Sequence, residues 1–221
     1  MVVPWVRRLA NVLVLIGVLG AGLGVVQCVN AMTQAQASVK APVSVAPSGC
    51  CGDVRVELPG VTVPDGWLLP ADAPDGISTT SAGELRIEAW GSTRLEQALA
   101  SGDLVVGGIG FLIGALLIRP VLISVAEGQP FRRGNARRIT LVAATVAVTG
   151  TLFPMPPEIA GLQILHRTGL DATGDFASGI TIPVSPLLTA ALVLAVAAAF
   201  RAGEKLTHQA EEMADALEGL V

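Results

Sequence analysis

Charge is scarce in this sequence. Asp, Glu, Lys and Arg make up 14% of its 221 residues, against about a quarter in a soluble domain. A soluble globular monomer is therefore not expected. A basic excess is missing too: the formal net charge is −4 and the pI is near 5.2. This argues against a general polyanion binder, and no direct nucleic-acid binding is expected. The histidines number two and the cysteines three, and no HExxH, GxSxG or Walker-type phosphate loop occurs. With neither a nucleophile–base nor a metal constellation, a non-enzymatic protein without cofactor is expected. No collagen-like period and no internal repeat are present. Tyrosine is absent and aromatics amount to 4%, for which we have no physical account.

Apolar length is what the chain has instead. Hydrophobic residues make up 52% and the mean hydropathy is +0.64. They gather in four runs, Leu9–Val29, Leu104–Val125, Ile139–Met155 and Ile182–Phe200. At a rise of ~1.5 Å per residue, about 20 apolar residues cross the ~30 Å hydrocarbon core. The first two runs are long enough. The last two are marginal, and snorkelling of Arg138, Arg201 and Lys205 extends them. No run shows a polar face at helical spacing, which disfavours buried helices of a soluble core.

Basic residues then orient the runs. Arg7 and Arg8 precede the first, and Arg119, Arg132, Arg133, Arg137 and Arg138 lie at or between the ends of the second and third. Residues 30–103 carry nine acidic residues against four basic ones. The positive-inside rule places the N-terminus, the basic loop and the C-terminus in the cytoplasm. The expected architecture is a mainly α integral membrane protein. It comprises an N-terminus with transmembrane helix 1 (1–29), an extracytoplasmic segment with short strands (30–103), and helix 2 (104–126). A basic cytoplasmic loop (127–138), helix 3 (139–155), an extracytoplasmic connection (156–181), helix 4 (182–203) and a cytoplasmic amphipathic tail (204–221) follow. In the loop, Gly128 suits φ > 0 at a helix end, Pro130 blocks continuation, and Asn135 suits an N-cap. A rival reading of the first run is a signal peptide cleaved after Ala35-Gln36-Ala37. Its apolar stretch is longer than an ordinary signal core, so an uncleaved anchor is expected.

In the outer segment, residues 30–50 read as a linker, while 53–58 (DVRVEL) and 84–89 (ELRIEA) alternate like half-covered strands. Thr93 to Glu96 matches a capping box that opens a short helix. Cys28, Cys50 and Cys51 all fall on this side, where disulfides persist. Cys28 bonded to Cys50 or Cys51, a vicinal Cys50–Cys51 bond and free thiols all stay open. In 156–181, Ile159, Leu162, Ile164 and Leu165 suit a short helix on the membrane surface, with His166 alone and solvated. Arg119 is the one ionisable residue inside an apolar run and lies near its cytoplasmic end, where it can snorkel. Gly20 with Gly24, and Gly110 with Gly114, have the spacing of close helix contacts. Packing within the chain is the first reading of these pairs and a homo-oligomer the second.

The tail carries Leu206, Ala210, Met213, Leu217 and Leu220 in one apolar seam, with Glu211, Glu212, Asp215 and Glu218 opposite. An acidic helix is repelled by anionic lipid, so a protein surface suits it better: its own basic loop or a cytosolic partner. Arg132, Arg133, Arg137 and Arg138, together with Leu206, Met213 and Leu217, are the candidate partner or lipid contacts.

Gly128-Gln129-Pro130-Phe131 followed by Asn135-Ala136-Arg137-Arg138 resembles the G-x-P-F…N-x-R-R signature of bacterial four-pass membrane proteins of the domain-of-unknown-function 2975 family. Phe200-Arg201-Ala202-Gly203-Glu204-Lys205-Leu206 and the ending Glu218-Gly219-Leu220-Val221 resemble its F-R-x-G-x-x-L…E-G-L-V pattern. The resemblance implies a four-pass protein of the bacterial plasma membrane and a cytosolic helix-turn-helix regulator as partner. It supplies no activity. The expected function is therefore a regulatory or sensory membrane protein, with a small transporter or channel subunit as the alternative.

Overall fold

The computed structural model describes residues 4–34, 39–45, 84–89, 91–173, 176–177, 180 and 182–218. The chain is mostly helical: α1 (Pro4–Thr33), α2 (Arg94–Ala100), α3 (Gly102–Ala126), α4 (Asn135–Leu152), α5 (Met155–Thr168) and α6 (Ser185–Glu218). Three strands, β1 (Val39–Val45), β2 (Glu84–Ala89) and β3 (Phe176–Ala177), complete the described elements, with a 3-10 turn at Leu170–Thr173. Contacts divide it into two units. One holds residues 1–25, 104–153 and 182–221, the other 26–103 and 154–181.

Four helical stretches are long and apolar enough to cross a membrane: Trp5–Thr33, Gly102–Ala126, Asn135–Thr168 and Ser185–Ala210. This is the architecture of a multi-pass α-helical membrane protein. Their large side chains face outward, with Leu15, Leu19, Leu23, Leu188 and Leu192 each more than half exposed. Lipid is the solvent that tolerates such faces, and helices satisfy their backbone polar groups internally.

Close packing in the first unit runs through small residues. A methyl added at Gly17 would meet the Leu112 backbone, one at Gly20 would approach Gly108, and one at Gly24 would meet the Leu104 carbonyl. These positions fall along α1 as they rise along α3, so the two helices are antiparallel. Gly110 lies against Thr149, Gly107 against Phe153, and Gly150 against Pro186, which continues the alternation through α4 and α6. Val121, Ile139 and Ala197 form a buried cluster, flanked by Ile118, Val193 and Phe200. Gly20, Gly24 and Gly110 therefore face other helices of the same chain. Gly114 does not: nothing lies within 4 Å of a methyl placed there.

The second unit has a three-stranded antiparallel sheet in the order β2-β1-β3. The 84–89 strand appears as expected, whereas 53–58 lies outside the described residues. Its partner corrects the linker reading of 30–50: Val39 pairs with Ala89 and Ser44 with Glu84 along one register. Val39, Ala41 and Val43 alternate inward and are all buried, a period-2 pattern masked by intervening Pro42. Proline is tolerated there because β3 reaches only Ser44 and Val45 of β1, which leaves the far flank of Pro42 outside the sheet.

Helix α5 covers that sheet. Ala160 and Ile164 are fully buried with Val39, Ala41 and Ala89, and Gly161 admits the Pro42 carbonyl. The expectation of a helix laid on the membrane surface is thus corrected: the helix exists, and the sheet takes its apolar face. It begins after Phe153-Pro154, with prolines in its first turn, where their missing N–H groups cost least. At α2 the capping box forms: Glu96 N–H donates to Thr93 Oγ1 at 3.2 Å and Thr93 N–H to Glu96 Oε2 at 2.9 Å.

Candidate functional site: the basic loop against α6

The loop between α3 and α4 is built by two left-handed glycines. Gly128 has φ +78° and Gly134 +96°, a region that glycine enters without a Cβ penalty. The first ends α3, as expected. The second occupies the N-cap of α4 and has no side chain to offer, which corrects the assignment of Asn135 to that role. Asn135 lies one residue further in and is fully buried. Its Nδ2 donates to Ser124 Oγ at 2.6 Å and to the Pro130 carbonyl at 2.9 Å, which ties the loop's turn to both flanking helices.

The cap that α4 lacks comes from α6. Ala136 N–H donates to Glu204 Oε1 at 2.9 Å, so a carboxylate sits on the positive end of the α4 dipole. One residue earlier, Gly203 makes room for Phe131: any Cβ there would collide with the phenyl ring. Phe131 also meets Phe200, with ring centroids 5.7 Å apart and planes tilted by 59°, a favoured edge-on geometry. The loop therefore seats on residues 200–204 of α6.

Beside this seat opens a cavity of about 670 Å³, lined by loop residues 128–133 and by Arg201, Glu204, Lys205, Thr207 and His208. Arg132 and Arg133 reach it from the loop, Arg201 and Lys205 from successive turns of α6. No described carboxylate pairs with any of the four, and Glu204 is engaged on Ala136. Arg137 and Arg138 are exposed on the first turn of α4 and do not line the cavity. Sequence reasoning thus grouped four arginines that the structure separates in pairs. It took Arg201 and Lys205 for snorkelling flanks, although their i, i+4 spacing and the Arg132-Arg133 pair were legible signals.

Further along α6, Leu206 is 67% and Met213 64% exposed, and Ala210 and Ala216 are exposed as well. The described part of the tail seam is not covered by the loop. The side chain of Leu217 lies outside the described residues. His208 Nε2 faces Glu212 at 3.5 Å.

Elsewhere the expected sites resolve differently. Among the described residues Cys28 has no disulfide partner, and its Sγ lies 3.7 Å from the Ala98 carbonyl; Cys50 and Cys51 are outside the described residues. Arg119 is exposed and donates from Nε to Asn11 Oδ1 at 3.2 Å, a contact from α3 to α1. Arg7 pairs with Glu127 at 2.9 Å. His166, expected to be alone, pairs with Asp171 at 2.9 Å. The hydrogen bond from His166 holds the Asp171 carboxyl below the ordinary aspartate range, despite slight desolvation. In the second unit, Arg167 Nε donates to the buried Glu96 Oε1 at 3.0 Å. Among the described residues, no three His, Cys, Asp or Glu side chains gather as a metal site.

No protein-family model matches the chain, and no curated protein or solved structure shows detectable similarity to it.

Proposed function

We propose that this chain is a non-enzymatic regulatory membrane protein that captures a cytosolic protein on the distal part of α6. The observation that carries the reading is the exposure of Met213 beyond the Ser185–Ala210 stretch able to cross a membrane, continued from Leu206 near the end of that stretch, on a helix that outruns a membrane span. At ~1.5 Å per residue, the 34 residues of α6 extend for roughly 50 Å, well beyond a ~30 Å hydrocarbon core. An apolar strip in water needs a partner, and the acidic residues near it in sequence favour one with an apolar face rimmed by basic residues. The resemblance carried by Gly128–Phe131, Asn135–Arg138 and Phe200–Leu206 belongs to this reading. It adds a bacterial plasma membrane, termini and basic loop on the cytoplasmic side, and a helix-turn-helix regulator as the captured protein.

The test is affinity capture from native membranes with the intact chain, with a chain truncated after Lys205, and with Leu206→Ser/Met213→Ser. A cytosolic protein recovered with the intact chain alone is the expected result. Equal recovery from all three forms, with membrane insertion unchanged, would sink the reading. The transporter alternative gains no second observation, since Arg119 rests on Asn11 in an exposed position.

A further inference from the structure

We infer that the cavity between the loop and α6 is a binding site for a multiply charged, phosphate-bearing ligand. Arg132, Arg133, Arg201 and Lys205 converge on one space of about 670 Å³, a volume in the range of small-ligand pockets. All four are solvent-exposed, so water screens them from one another, but with a single carboxylate among them their summed charge favours an anion. That carboxylate, Glu204, is committed to the Ala136 amide, so the excess is not neutralised from within the cavity. Three of the four cations are guanidinium groups, whose planar forks match phosphate oxygens two at a time.

The shape of the site is held independently of any ligand. Asn135 anchors the Pro130 carbonyl and Phe131 is wedged against Gly203, so Arg132 and Arg133 follow a fixed turn. Arg201 and Lys205 project from one face of α6, one turn apart. The excess of about three positive charges calls for at least two negative charges on the ligand. Pro130 and Phe131 supply an apolar wall next to the end of the apolar run at Phe200, where a lipid headgroup or a soluble phosphate ester would each be within reach. This assignment goes beyond the docking reading and does not depend on it.

The experiment uses the full chain in neutral detergent and native mass spectrometry, with phosphatidylcholine as the reference. Cardiolipin, with two phosphates, is the lipid probe and pyrophosphate the soluble one. Arg132→Gln/Arg133→Gln and Arg201→Gln/Lys205→Gln should each weaken retention at least about tenfold, the loss of one charge-assisted contact or more. Arg137→Gln/Arg138→Gln removes the same charge outside the cavity and should stay within about twofold of the parent. Thr207→Trp fills the cavity with all charges intact and should also abolish retention, which guards against charge variants that fold poorly.

Retention of cardiolipin but not pyrophosphate assigns the site to a lipid headgroup. Retention of pyrophosphate with the same pattern of losses assigns it to a soluble phosphate ester. The inference is overturned if neither probe is retained above the reference, if Arg137→Gln/Arg138→Gln weakens binding as much as the cavity variants, or if Thr207→Trp leaves it unchanged.

Discussion

Phe131 and Gly203 are a lock between two segments far apart in the chain: the phenyl ring lies where the first carbon of any side chain at 203 would stand. Gly203→Val should therefore expel Phe131 and unseat the loop, even though valine has the better helix propensity. The cost of such overpacking is about 1–3 kcal/mol. Thermal unfolding in detergent measures it, and Phe131→Ala in the same chain should restore most of the loss. A cycle showing simple additivity would mean that the two residues do not meet.

Glu204 caps α4 across the fold. Removing a helix cap costs about 0.5–2 kcal/mol, so Glu204→Ala should destabilise by that amount and speed hydrogen exchange at the Ala136 amide. Glu204→Gln keeps an acceptor oxygen and should lose less, since it forfeits only the charge on the helix dipole. Equal exchange rates in all three proteins would contradict the cap.

In the second unit, the Glu96 side chain is 3% exposed and serves both the Thr93 amide and Arg167. Arg167→Ala would leave a buried carboxylate short of a partner, at a cost of about 1–3 kcal/mol. Because the Arg167 side chain is 36% exposed, water offsets part of the loss, and the lower half of that range is expected. Arg167→Ala/Glu96→Gln should recover stability relative to Arg167→Ala in chemical denaturation, because the uncompensated charge is gone.

Asp171 titrates below the ordinary aspartate value because His166 hydrogen-bonds its carboxylate. Its folded pKa is depressed relative to the unfolded chain. The stabilisation is therefore present above the unfolded pKa and is lost as pH falls through the folded one. The group is solvent-exposed, so the effect is local. Carboxyl carbon shifts followed by NMR should place the Asp171 midpoint below that of exposed aspartates. His166→Ala should move it upward, and an unchanged midpoint would show that the pair does not persist in solution.

Much of this protein could be read residue by residue. Four apolar runs predicted four helices able to cross a membrane, Thr93 and Glu96 predicted a reciprocal cap, and Gly128 predicted a left-handed helix end. Each is a local property: transfer of apolar side chains out of water, a hydrogen bond spanning three residues, or the steric freedom of one glycine. Strand β1 was hidden because Pro42 and small side chains gave 30–50 the composition of a linker. Its burial depends on β2 and α5, which are distant in sequence. Asn135 had the chemistry of an N-cap, yet Ser124 and the Pro130 carbonyl drew it inside.

The candidate site was half legible. Charge asymmetry marked the basic loop, and the heptad-like spacing marked Leu206 and Met213. That Arg132 and Arg133 share a cavity with Arg201 and Lys205, while Arg137 and Arg138 do not, is a matter of tertiary packing. So are the bonds from Ala136 to Glu204 and from Arg167 to Glu96, whose partners stand 68 and 71 residues apart. The apolar runs, the Gly128 turn and the reciprocal cap of α2 follow from free energies that act along one continuous stretch of chain, and the sequence by itself determined them. Which side chains meet across the bundle depends on how helices already formed pack together, and only the tertiary structure decided that.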